Sequence, residues 1–206
     1  MTREPLLRRP FDIVIAGTGL ILSLPLWAII ALAIKLDDGG PVFFAHERWG
    51  RQRRVISVRK FRTMVVDADS KFGAVQASVS DPRVTRVGRI LRAMGLDELP
   101  QLLSIVKGDM SMVGPRALAI GEKYRDPNGN AVDYSSLPGF DERLHVRPGL
   151  TGAATVFLPK DAHPSERFQV DVEYVRNPSI WRDARLVALS LWISFRGKWE
   201  TRTKKF

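Results

Sequence analysis

IVIAGTGLILSLPLWAIIALAI, residues 13–34, is an uncharged and almost wholly aliphatic run. As a helix it would extend about 33 Å, enough for the hydrocarbon core of a bilayer. Three details oppose a simple spanning helix. Pro25 stands at its middle just after Ser23, Gly17 and Gly19 loosen its first half, and cations flank both ends. Arg3, Arg8 and Arg9 precede the run, and Lys35, Arg48, Arg51, Arg53 and Arg54 follow it, so the positive-inside rule draws both ends toward the cytoplasm. A helix broken at Pro25 that enters and leaves by one face satisfies both constraints. The Ser23 hydroxyl is placed to bond a carbonyl that the proline frees. The competing readings are a kinked spanning helix, a signal peptide cleaved near Ala31-Leu32-Ala33, and a buried core helix. The run is too long for a usual signal peptide or core helix.

The formal charge of +10 requires anionic partners, whether nucleic acid, phospholipid or phosphorylated substrates. With no cysteine, disulfides, thiolate chemistry and cysteine zinc sites are excluded. His46, His145 and His163 are far apart, so any metal would be a hard cation on carboxylates and phosphate. Val42-Phe43-Phe44 and Val55-Ile56-Ser57-Val58 predict a hairpin around the basic turn 50–54. Residues 65–81 read as a helix fragment and a loop. Val84, Val87, Leu91 and Met94 keep helical spacing opposite Arg83, Arg86, Arg89 and Arg92, predicting an amphipathic helix whose arginine stripe could meet lipid headgroups. The stretch 121–145, rich in Pro, Gly and Asn, predicts a long irregular insertion. Helices are expected over 165–176 and 180–195, the second carrying tryptophans beside a basic tail that suits a headgroup region.

Leu96-Asp97-Glu98-Leu99-Pro100-Gln101-Leu102-Leu103 sets two carboxylates before a proline that a helix tolerates only in its first turn. That predicts a helix starting at Asp97, with Asp97 at the N-cap, ionised and facing phosphate. An acidic pair at a helix start is ordinarily only a cap; its neighbours change the reading. Lys107-Gly108-Asp109-Met110-Ser111-Met112-Val113-Gly114-Pro115-Arg116 adds a carboxylate, a small-residue turn and an arginine. Lys60-Phe61-Arg62-Thr63-Met64 adds two cations, and Arg147-Pro148-Gly149-Leu150-Thr151-Gly152 a further arginine at a turn. Carboxylates among such cations are what magnesium-assisted phosphoryl transfer requires.

These motifs, with Gly40-Pro41-Val42-Phe43-Phe44, Glu47-Arg48-Trp49-Gly50, Asp81-Pro82-Arg83 and the Pro25-broken apolar run, resemble in order the bacterial sugar transferases, the small monotopic phosphoglycosyl transferases. The resemblance covers nearly the whole chain. It implies an α+β fold, predominantly helical, with residues 1–38 as tail and re-entrant membrane hairpin and 39–206 as a catalytic domain on the cytoplasmic face of the bacterial inner membrane. It also implies the chemistry: Asp97 attacks a UDP-sugar, UMP leaves, and polyprenol (undecaprenyl) phosphate takes the sugar-phosphate, beginning a surface polysaccharide or glycoconjugate. Catalysis would rest on Asp97 and Glu98, which would also hold Mg2+, while Lys60, Arg62, Pro115, Arg116 and Arg147 would bind substrate. Anionic lipids are expected partners and a homo-oligomer is compatible with the sequence. Nucleic-acid binding leaves the apolar run and acidic pair unexplained; a non-catalytic membrane scaffold is the other alternative. Ser104, Ala117, Ala153-Ala154-Thr155 and His46 depart from the residues usual in the family.

Overall fold

The structure, a computed structural model, describes residues 5–66, 68, 81–126, 128–159 and 161–200. Helix α1 (Arg8–Asp38) takes up the whole apolar run, with Pro25 inside it. The expected break is therefore no gap between two helices: helical conformation runs without interruption from Arg8 to Asp38. Local polar bonds support the chain around the proline. Ser23 Oγ donates to the Leu20 carbonyl at 3.1 Å and accepts from Trp27 Nε1 at 3.1 Å. The carbonyl deprived of its usual partner by Pro25 is that of Ile21, so the serine acts one residue earlier than expected.

Both ends of α1 are fastened to the same folded body. At the start, the buried Arg8 guanidinium donates to the Val113 carbonyl and to the Tyr174 hydroxyl, each at 2.5 Å, and lies 3.6 Å from Asp183. Asp12, only 1% exposed, accepts from Ser111 Oγ at 2.9 Å and Met112 N–H at 2.8 Å. At the far end Asp38 forms a two-pronged pair with Arg62, and Asp37 accepts from Val87 N–H at 3.0 Å. Arg8 and Asp12 are buried deeply enough that their charges persist only with such partners. Between the anchors Ala16, Ile30 and Ile34 face the body, while Val14, Ile21, Leu22, Ile29, Leu32 and Leu36 are exposed.

Strands β1 (Phe43–Trp49) and β2 (Val55–Phe61) form the expected antiparallel hairpin, longer than the sequence indicated, in register from Phe43 opposite Phe61 to Trp49 opposite Val55. Helix α2 (Arg86–Met94) begins on Thr85, whose side chain accepts from Gly88 N–H at 2.9 Å. The arginine stripe divides there. Arg86 and Arg89 are exposed, Arg92 is half-buried, and Arg83 precedes the helix, buried in a two-pronged pair with Asp81. A one-turn 3-10 segment (Leu96–Glu98) leads to α3 (Gln101–Lys107).

Strand β3 (Ser111–Val113) pairs in parallel with β6 (Gly149–Thr151), joining two motifs that the sequence presents as separate turns. Glycine is required at that seam: a Cβ at Gly149 would fall 2.0 Å from the Gly114 nitrogen. The segment 121–145 is more ordered than its composition suggested. It holds a small hairpin, β4 (Lys123–Arg125) with β5 (Ala131–Asp133), a 3-10 turn (Tyr134–Ser136) and α4 (Phe140–Arg143). Next come α5 (Ala153–Phe157), α6 (Pro164–Arg176) and α7 (Ile180–Phe195), the last two close to expectation. The main core gathers α1, α3, β3, α6 and α7 through Ala16, Ile105, Val113, Tyr174, Leu186 and Ile193. The mixture of helices with short sheets is an α+β fold dominated by helix. The loop expected within 65–81 and the basic tail at Arg202, Lys204 and Lys205 fall mostly outside the described residues.

Candidate active site

The site is built where α2 stops. Gly95 adopts a left-handed conformation (φ 69°) that caps α2 and starts the 3-10 turn holding Asp97 and Glu98. Asp97 is thus in mid-turn and not at a helix N-cap, a correction to the sequence reading. Pro100, with φ −61°, is the residue that precedes α3. The proline rule was right about where a helix begins and misplaced it by one turn. The turn packs against β2, which supplies Lys60 from its end.

Lys60 Nζ donates to Glu98 Oε1 and stands 3.9 Å from Asp97 Oδ2, so one cation serves both carboxylates. Their ionisation nevertheless diverges. Burial drives the Asp97 carboxyl up to about 6; the nearby Lys60 and Arg92 charges pull the other way, and Glu98 adds to the rise. Burial also opposes ionisation of Glu98, but Lys60, Arg116 and Arg48 together outweigh it and hold this carboxyl below its ordinary value. Asp97, 9% exposed, is thus a buried carboxyl whose ionisation is opposed by its surroundings. The expectation of a cap-stabilised anion is replaced by a desolvated one.

Both carboxylates face a cleft of about 1850 Å³ with two kinds of wall. One is apolar and comes from α1 and the hairpin: Ile15, Leu22, Leu26, Phe43 and Phe44. The other is cationic and aromatic: Arg116, Arg143, Arg167, Tyr124, Tyr134 and Phe168. Arg143 is buried beneath this second wall. It bonds Asp171 at 2.9 Å, lies over the Phe168 ring at 4.1 Å, and donates to the Arg116 carbonyl at 3.1 Å, which fixes the turn presenting the exposed Arg116 side chain. Pro115 is buried, and its carbonyl accepts from Gly149 N–H at 3.0 Å. Arg48, also lining the cleft, donates to the Ala117 carbonyl, and burial lowers its pKa to about 10.

Asp97, Glu98, Lys60 and Arg116 therefore converge, with Pro115 setting the turn before Arg116. Arg62 borders the same cleft, but Nε bonds the Pro41 carbonyl and both terminal nitrogens bond Asp38, one of them also the Met64 carbonyl, so it clamps the exit of α1. Arg147 donates to the Gly108 carbonyl at 2.9 Å and lines a separate small depression with Arg51, Arg54 and Asp109. Arg48, Arg92, Arg143 and Arg167 are site residues the sequence reading did not select. Arg48 stood in a quoted motif, whereas Arg143 carries no local signal because its partners, Asp171 and the Arg116 carbonyl, are distant in sequence. Among the described residues no group of three His, Asp or Glu side chains gathers as a metal cage.

The sequence profile of the bacterial sugar transferases matches residues 3–197. The chain belongs to the bacterial sugar transferase family. It is by that membership an enzyme of phosphoglycosyl transfer. It is 40% identical over 186 residues to the exopolysaccharide production protein PSS of Rhizobium leguminosarum bv. phaseoli, covering 88% of this chain and 91% of that one. It is also 40% identical over 200 residues to the UDP-glucose:undecaprenyl-phosphate glucose-1-phosphate transferase of Escherichia coli K12, covering 94% of this chain and 41% of the relative. The exopolysaccharide production protein ExoY of Rhizobium meliloti is 36% identical, with 87% and 81% covered. This sugar transferase thus spans most of the rhizobial proteins and less than half of the enterobacterial one.

Proposed function

We propose that this sugar transferase moves a sugar-1-phosphate from a UDP-sugar to undecaprenyl phosphate, releasing UMP, through a covalent intermediate on Asp97. The observation that carries this reading is the position of Asp97 and Glu98, which face a single cleft lined both by apolar residues of α1 and the hairpin and by cations and aromatic rings. Such a cleft offers a lipid phosphate and a soluble nucleotide-sugar access to the same carboxylate.

In the first step an Asp97 oxygen attacks the phosphorus that bears the sugar. The bond from that phosphorus to the bridging oxygen breaks, and UMP departs with the electron pair. In the second, a phosphate oxygen of the acceptor lipid attacks the same phosphorus and the bond to Asp97 breaks, restoring the carboxylate and leaving a polyprenol-diphosphate-sugar. Lys60 and Arg116 neutralise phosphate oxygens, and Glu98 holds Lys60 in place. Pro115 sets the turn that aims Arg116 at the nucleotide. Asp97 and Glu98 fit Mg2+ as a donor set: adjacent hard oxygen ligands, few in number, which substrate phosphate and water would complete. The ion, when bound there, supplies further charge neutralisation at the transferring phosphoryl group.

The reading places the chain at the cytoplasmic face of the bacterial inner membrane, with both ends of α1 held at that face. Support comes from the anchors: Arg8 and Asp12 at one end of α1 and Asp37 and Asp38 at the other bind the same body, while the exposed aliphatic side chains lie between. The product would enter a surface polysaccharide or glycoconjugate. The test is UMP release with UDP-sugar and magnesium but no lipid acceptor. One UMP per enzyme is expected, and none from Asp97→Asn; a variant that keeps full turnover removes Asp97 from its role.

A further inference from the structure

Beyond the end of the family match, Trp199 and Glu200 fold back over the nucleophile's turn. Trp199 N–H donates to the Ala93 carbonyl at 3.2 Å, one of the carbonyls that the end of α2 leaves without a helical donor. Its indole Nε1 donates to Ser194 Oγ at 2.7 Å, tying it to the end of α7. The ring covers Gly95 so closely that a Cβ there would lie 2.9 Å from Nε1. Glu200 stands 3.6 Å from Arg92, the arginine whose charge also acts on Asp97. Both residues line the same cleft as Asp97.

Gly95 is the hinge of the site. Its left-handed backbone turns the chain out of α2 and sets the direction in which Asp97 emerges two residues later. A 3-10 turn of three residues holds few hydrogen bonds of its own, so its aim depends on what packs against it. Trp199 packs there and is bonded to both neighbouring helices.

From this geometry we propose that the segment bearing Trp199 and Glu200 is a strap that positions the nucleophile. Trp199 locks the Gly95 turn, and Glu200 holds Arg92 against the cleft wall. Neither touches the reacting atoms; both are positioning residues. The proposal rests on Asp97 being the nucleophile, and it assigns a role in catalysis to a stretch outside the family profile.

The experiment is a rapid-mixing measurement of UMP release from UDP-sugar and magnesium by the full chain and by Trp199→Ala, Trp199→Phe and Glu200→Gln. Misaiming a reacting group by about 1 Å can cost two orders of magnitude in rate. Trp199→Ala should therefore slow release roughly tenfold or more while KM for the UDP-sugar stays within about twofold. Trp199→Phe, which keeps an aromatic ring beside Gly95 but loses the indole Nε1 that lies closest to it and bonds Ser194, should restore part of the rate. Glu200→Gln, a mild change at the rim, should slow release severalfold without lowering the unfolding temperature. If Trp199→Ala does not fold, Glu200→Gln decides alone: a wild-type rate in that variant overturns the strap. A change in KM with kcat unchanged also overturns it, since that marks a binding role. A wild-type chain that forms no Asp97 adduct defeats the nucleophile assignment itself, an outcome distinct from an adduct whose rate ignores Trp199.

Discussion

Asp97 is caught between stability and chemistry. An acid whose pKa is raised on folding, here from 3.8 to about 6, is penalised as an anion in the folded state. At pH 8 the carboxylate is ionised whether folded or unfolded, so the native fold carries the whole penalty. As pH falls from 6 toward 4 the folded state takes up the proton first, and the penalty disappears. Asp97→Asn should therefore be more stable than the parent at pH 8, by on the order of 2 kcal/mol, with the advantage shrinking toward nothing near pH 4. Urea denaturation in detergent at the two pH values measures this; a less stable Asn variant at pH 8 contradicts the desolvated-carboxylate account. At this scale the sequence was informative where chemistry is local. Asp97 and Glu98 are adjacent in the chain, and Lys60 and Arg116 stood in compact motifs. Arg62 and Arg147 were equally prominent, yet Arg62 meets Asp38 and Arg147 a backbone carbonyl, partnerships that depend on tertiary contact and leave no local pattern.

At the scale of elements, α1 is the feature read most directly from sequence and also the one the fold revises. Its extent follows from the apolar run, but the continuity through Pro25 does not, because the serine and tryptophan that support the chain there act inside the helix. The anchors were illegible too, since Arg8 and Asp12 find partners about a hundred residues away. The same applies to the parallel pairing of β3 with β6, whose two glycine motifs read as independent turns. Helices α6 and α7 were legible because Asn177-Pro178 separates them and each has its own spacing. Because one body binds both ends of α1, cysteines placed at Leu6 and Gly40 should react with an impermeant maleimide from the same side of inner-membrane vesicles. Labelling from opposite sides would establish a spanning helix and require the anchors at one end to be released.

The whole molecule brings three chemistries together. The exposed aliphatic stripe of α1 matches the membrane, as do Trp181 and Phe195 on α7, which are 83% and 81% exposed. The net charge of +10 suits an anionic leaflet and phosphorylated substrates. The cleft lies where these features meet, with an apolar wall from α1 and a cationic one from the segment after β3. That convergence could not be read from any one motif, because its walls come from α1, the hairpin, the turn at Asp97 and the 121–145 segment together. The central claim is that a carboxylate in this cleft carries the sugar-phosphate. Its most direct test is mass spectrometry of the intact protein and its peptides after brief incubation with UDP-sugar and magnesium in the absence of lipid acceptor. The account predicts a sugar-phosphate adduct on the peptide containing Asp97, lost on adding undecaprenyl phosphate and absent from Asp97→Asn. UMP release with the adduct on another residue, or with no adduct at all, would contradict it.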